Sequence, residues 1–129
     1  MCQGADGTQT AAILAGGNTT TADVETYNGS SWTETANLNT GRNSTGLAGT
    51  TTAAVDFGGQ TPGTANMDNC ETWNGTAWTE VADLAQGRNT GAGAGTSVTG
   101  LIYAGYSGGL LNNTEEWNVP LAITTVTTS

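Results

Sequence analysis

The stretch ETWNGTAWTE, residues 71–80, nearly copies ETYNGSSWTE at residues 25–34, 46 positions earlier. The correspondence runs beyond the quoted ends. Glu25, Tyr27, Asn28, Gly29, Trp32, Leu38, Gly41 and Arg42 match Glu71, Trp73, Asn74, Gly75, Trp78, Leu84, Gly87 and Arg88. A worn third copy begins at Glu115 and keeps Trp117 and Asn118, 44 residues after the second. Upstream of each copy stands an apolar run closing in small residues: TAAILAGG (10–17), TAAVDFGG (52–59) and VTGLIYAG (98–105). A period of this length marks a chain of stacked supersecondary units, each unable to bury its apolar surface alone.

Within one period the pattern predicts four short strands. In the second they are Ser44–Thr50, Ala53–Phe57, Cys70–Trp73 and Trp78–Ala82, separated by turn-rich segments. Asn28-Gly29 and Asn74-Gly75 each lie between aromatic-bearing strands, a strong hairpin signal. No window carries apolar residues at helical spacing over three turns. The fold class is all-β, and four antiparallel strands per repeat make a blade. The repeats divide the single domain 1–129 into units of about 1–42, 43–88 and 89–129.

Composition narrows the partners. Thr supplies 26 of the 129 residues, and the net charge of −9 sets two Arg against 11 carboxylates. Phosphate neutralisation has almost nothing to work with, so nucleic acid is not an expected partner. No apolar run reaches membrane-spanning length, and membrane insertion is not expected. With no His and no CxxC motif, neither a metal site nor a cofactor is expected. Cys2 and Cys70 fall on different strands of different units, which favours two free thiols over a bond.

A double glycine after a β-rich run, then Glu-x-aromatic-Asn, then Trp, then Arg opening the next unit, resembles the kelch repeat. Here those residues are Gly58, Gly59, Glu71, Trp73, Asn74, Trp78 and Arg88, and likewise Gly16, Gly17, Glu25, Tyr27, Asn28, Trp32 and Arg42. The third unit departs from the pattern, with Ala104-Gly105 for the double glycine and Ala122 where the second Trp would stand. The resemblance implies a β-propeller of four-stranded blades, and it is nearly silent about activity.

The recurring residues read as structural. Trp32 and Trp78 are expected between blades. Glu25 and Glu71 are expected to pair with Arg42 and Arg88 inside blades, since buried charges need partners. Glu115, with no arginine downstream, is expected to face solvent or another subunit. The glycine-rich TGAGAGT at 90–96 parallels STGLAGT at 44–50 and reads as an innermost strand rather than a phosphate cradle. Outside the pattern stand Asp6, Asp56 and Asp68, weak ligand-binding candidates; Asp56 replaces Leu14 and Ile102 of the sister repeats. A calcium site in ANMDNCE (65–71) lacks EF-hand spacing.

Three blades do not close a ring, because closed propellers have four to eight. A last strand is expected from Ile123 to Thr128, leaving two blade faces uncovered, and a homodimer would join them into a six-bladed ring. The leading expectation for function is a non-enzymatic binding or structural module whose rim loops contact a glycan or a protein. The Gly/Thr/Asn-rich style resembles repeat regions of bacterial surface and phage virion proteins, favouring a virion or extracellular setting over the cytoplasm. The alternatives are a carboxylate-based carbohydrate hydrolase and a bare propeller-fragment scaffold without a ligand.

Overall fold

The computed structural model describes residues 3–19, 21–63 and 65–119. These form three antiparallel sheets following one another along the chain. The first holds β1 (Gly4–Thr8), β2 (Ala11–Ala15), β3 (Val24–Tyr27) and β4 (Trp32–Glu34) in sequential order. The second holds β5 (Gly46–Gly49), β6 (Ala54–Phe57), β7 (Cys70–Trp73) and β8 (Trp78–Val81). The third holds β9 (Ala92–Gly95), β10 (Thr99–Tyr103) and β11 (Thr114–Asn118), ordered β9-β10-β11. Its expected fourth strand, Ile123–Thr128, lies outside the described residues, as do Ala122 and Cys2.

The Asn-Gly segments turn the outer hairpins, but through four residues rather than two. Tyr27 pairs with Trp32 and Trp73 with Trp78, so residues 28–31 and 74–77 make the loops. The Asn74 side chain accepts from the amides of Thr76 and Ala77, both at 2.9 Å, and Asn28 repeats the arrangement with Ser30 and Ser31. Gly75 then adopts φ +93°, a conformation costly for a residue with a Cβ.

The innermost strands β1, β5 and β9 lie side by side, and the sheets fan out from them face to face. Their residues must be small where neighbours meet: a Cβ on Gly93 would come within 2.7 Å of the Leu47 carbonyl, and one on Gly4 would strike Thr45. That is the packing reason for the glycine-rich run beginning at Thr90.

Two apolar layers fill the gaps. Ile13, Ala15, Val24 and Leu38 of the first unit pack against Leu47, Ala54, Trp73 and Trp78 of the second. Ala48, Val55, Phe57, Cys70 and Leu84 of the second meet Ile102 of the third, with Trp117 packed alongside. Trp78 is therefore between sheets, as expected. Trp32 is not: it is 49% exposed, stacked on Tyr27 with ring centres 5.2 Å apart. Trp73 and Trp78 share that stack at 5.5 Å, but the face that buries them is one the first sheet lacks among the described residues.

The two tryptophans should thus separate in a denaturant titration run at high dilution. Trp78→Ala is expected to lose about 3–5 kcal/mol, and Trp32→Ala about 1 kcal/mol or less. Equal losses would mean that the first sheet's outer face is covered in solution.

Candidate functional site

The polar groups that sequence reading singled out converge at the junctions between sheets. Arg42 sits in the connector leaving the first sheet. Its amide donates to the Thr21 carbonyl (3.1 Å), and its own carbonyl accepts from the Gly17 amide (3.0 Å), so its backbone belongs to the first sheet. Its side chain reaches into the second. Nη2 lies 2.6 Å from Glu71 Oε1, Nη1 donates to the carbonyls of Gly58 (3.2 Å) and Asn69 (2.9 Å), and Nε donates to Thr40 O (3.1 Å). Glu71 also accepts from the amides of Asn39 (2.8 Å) and Thr40 (3.1 Å) in the same connector. Arg42 and Glu71 are both fully buried.

The next junction repeats this. Arg88 Nη2 lies 2.6 Å from Glu115 Oε1, and Nη1 donates to the carbonyls of Ala104 (3.0 Å) and Asn113 (3.1 Å). Glu115 further accepts from the amides of Ala85 and Gln86. The sequence expectation needs correcting here. Each arginine pairs with the glutamate of the following unit, because its backbone is held by the preceding one. Glu115 is therefore partnered rather than left to solvent, and Glu25 is the glutamate without an arginine among the described residues.

Asp6, Asp56 and Asp68 do not come together. Asp6, on β1, accepts from the amides of Gly7 (2.7 Å) and Gly49 (2.8 Å) and so ties β1 to the end of β5. Asp68 is exposed in the loop between β6 and β7. Asp56 is fully buried on β6, opposite Glu71, with Oδ2 3.6 Å from Arg42 Nε. It stands beside that guanidinium as a second carboxyl. In the third sheet Ile102 replaces it, and Arg88 Nε has no hydrogen-bond partner among the described residues.

Burial pushes the Asp56 carboxyl up to about 7; Arg42 and the nearby Thr45 hydroxyl hold it down only in part, and Glu71 adds repulsion. Neither carboxylate oxygen completes a hydrogen bond among the described residues. Burial likewise pushes the Cys70 thiol up to about 12, so this free cysteine is not a ready nucleophile. Among the described residues no three Cys, Asp or Glu side chains converge on a point where a metal ion could sit, and the segment around Asp68 and Glu71 is no exception.

One open groove, of about 270 Å³, lies where the three innermost strands begin, walled by Gly4, Thr45, Gly46, Thr90, Gly91 and Gly93. Beside it Ser44 and Thr90 hold left-handed φ values of +56° and +53°, uncommon for side chains of this type. The Ser44 carbonyl accepts from the Thr90 amide at 2.7 Å, so the pair links two junctions through strained backbone. Sequence reading missed both; their shared place after Arg42-Asn43 and Arg88-Asn89 was the available signal. The groove offers the Thr90 side chain, the Gln3 side chain and main-chain groups without a charge, which suits hydrogen bonding better than proton transfer.

No family model matches the chain, and no curated protein does. Its shape is similar to the solved structure of YjhT, with a TM-score of 0.74 and 15% sequence identity over 98% of this chain. The match takes in 45% of YjhT, so the chain spans less than half the length of that protein. At this identity the likeness is one of fold.

Two substitutions test the junction. Arg42→Lys keeps the charge but cannot serve Glu71 and three carbonyls at once, and is expected to cost about 3 kcal/mol in denaturant unfolding. A variant as stable as the parent would refute the role given to the guanidinium fork. Asp56 is expected to shape stability against pH. Its folded carboxyl titrates near 7 and its unfolded one near the ordinary 3.8, so the native state holds the extra proton between those values. Stability is full below that window and falls as pH rises through it. Asp56→Asn should flatten this slope, gaining most over the parent at pH 8 and least at pH 4. Parallel pH profiles for the two proteins would remove Asp56 as the cause.

Proposed function

We propose that the chain is a non-enzymatic binding and assembly module: a three-blade arc of a kelch-like propeller, completed to six blades by a second copy about a two-fold axis. The observation that carries this is the contrast between equivalent faces. Trp32 is exposed and Tyr27 half-buried on the first sheet, whereas Trp73 and Trp78 are buried on the second. At the other end Leu101 and Tyr103 are about two-fifths exposed, at 40% and 41%, whereas their counterparts Val55 and Phe57 are fully buried. Each open face is a surface already shaped to receive a sheet, and exposed apolar patches of this kind mark interaction sites.

The ligand-facing part of this reading is the groove at the start of the innermost strands, with hydroxyl and amide chemistry suited to a glycan or a polar protein loop. A carbohydrate hydrolase finds less support. Asp56, the carboxyl best tuned for proton transfer, has no solvent contact, and the neighbouring Glu71 is held by Arg42.

Light scattering at micromolar concentration should give roughly 26 kDa, twice the chain's 12.9 kDa. A seam of standard size covers about 800 Å² per partner, and the melting temperature should climb with protein concentration. A mass near 13 kDa would sink the two-copy ring. A glycan array run beside a hydrolysis assay on the same sugars separates binder from enzyme, with retention and no turnover expected.

A further inference from the structure

We infer that the recess around Glu25 on the first sheet is a docking socket for an arginine-bearing loop of the Gly-Arg type, presented by a further repeat on another polypeptide segment. The chain carries its own templates. In the second sheet Gly58 O, Asn69 O and the Glu71 carboxylate hold Arg42; in the third, Ala104 O, Asn113 O and the Glu115 carboxylate hold Arg88. The residues in the same register of the first sheet are Gly16, Asp23 and Glu25, and all three line one recess of about 370 Å³.

Charge identifies the occupant. Glu25 shares the recess with Asp23 and Glu34, and no basic side chain faces them among the described residues. The sequence has only two basic side chains, and both are already buried in ion pairs of their own. A second copy of this chain therefore brings no free guanidinium, and a two-copy ring leaves the socket unfilled. The template loops also show how an occupant would enter. Asn39 is exposed and Thr40 and Gly41 half-buried, while the arginine that follows is buried completely. Such a loop lies on the surface and inserts one side chain, so it needs no opening of the sheets.

A divalent cation is the competing occupant of an acidic recess, although its three carboxyls do not converge on one point among the described residues. The template argues against it, since Glu71 and Glu115 each spend their second oxygen on connector amides, a pattern a peptide supplies and an ion does not. The inference rests on the repeat reading proposed above but not on ring closure, which the mass measurement decides separately.

The test is an amide-shift titration of the labelled chain with the peptide reproducing residues 36–43, ANLNTGRN. Saturable shifts confined to residues 14–25 are expected at millimolar peptide. The same peptide carrying Arg42→Ala, and the chain carrying Glu25→Gln, should each bind about tenfold more weakly or worse, the loss of a charge-assisted bond. Glu25→Gln should melt like the parent, since Glu25 has no partner to lose. Equal shifts from both peptides, no shift at millimolar peptide, or the same shifts produced by calcium alone would each overturn the proposal. The chain is held at one concentration throughout, so that shifts from a seam between copies stay constant during the titration.

Discussion

The constraint on which the rest of the structure depends is the burial of a guanidinium at each junction between sheets. Taking Arg42 out of water carries a penalty of several kcal/mol that a single carboxylate does not offset. It is tolerated because the fork meets Glu71, Gly58 O, Asn69 O and Thr40 O together, and that set exists only when the two sheets stand in one relation. The apolar layers are less demanding. Ile13, Val24, Leu47 and Trp78 would tolerate small rotations of one sheet against the other with little loss of buried area. The ion pair contributes little net stability and much geometry, whereas the aromatic layer contributes the reverse.

The glycines follow from the same contact. The Arg88 carbonyl accepts from the Gly59 amide at 2.8 Å, and a Cβ on Gly58 would lie 2.6 Å from that carbonyl oxygen. Gly16 stands in the same relation to the Arg42 carbonyl. Double glycine and arginine are thus one device read from two sides: the pair must lack side chains because the connector of the next repeat lies against it. Ala104 confirms the logic by exception. It keeps the left-handed conformation at φ +57°, close to the +59° of Gly58, at a strain of about 1 kcal/mol. No following Gly-Arg connector lies against it among the described residues.

Much of this was legible in the sequence because repetition removes ambiguity. A single TAAVDFGG could be a strand or a buried turn of helix; three versions in register, each before a Glu-x-aromatic run, leave only a strand. The second sheet's expected strands fall within two residues of those observed at every end. What was not legible was handedness of pairing between repeats. Spacing places Arg42 nearer to Glu25 than to Glu71, at 17 against 29 residues, and so points to the wrong partner. Only the backbone bonds to Thr21 and Gly17 show which way the side chain must point. Exposure of Trp32 was hidden for a related reason: a repeat pattern describes an average unit, and the end units differ by a missing neighbour, which no residue records. Asp56 was visible as an oddity, but its partner was not, because Arg42 reaches it from a different unit.

The distribution of charge then limits what can join the open faces. Three of the carboxyls, on Asp56, Glu71 and Glu115, are absorbed at the junctions around two arginines. The other eight, including Asp23, Glu25 and Glu34 beside the first sheet's open face, supply most of the chain's formal net −9 at pH 7. Two such chains repel over roughly the 8–10 Å of screening in physiological salt, so a seam between copies depends on its apolar contacts winning at short range. A partner bearing arginine meets no such opposition and is drawn to the Glu25 side by the same field. Leu101 and Tyr103, at the other end, share their sheet face with Ala92, Ala94, Thr114 and a single carboxylate, Glu116, and make the more apolar surface. The two ends are therefore chemically unlike, one acidic and socketed, the other apolar and shallow. Unlike ends favour head-to-tail joining, which is the arrangement a ring of blades requires.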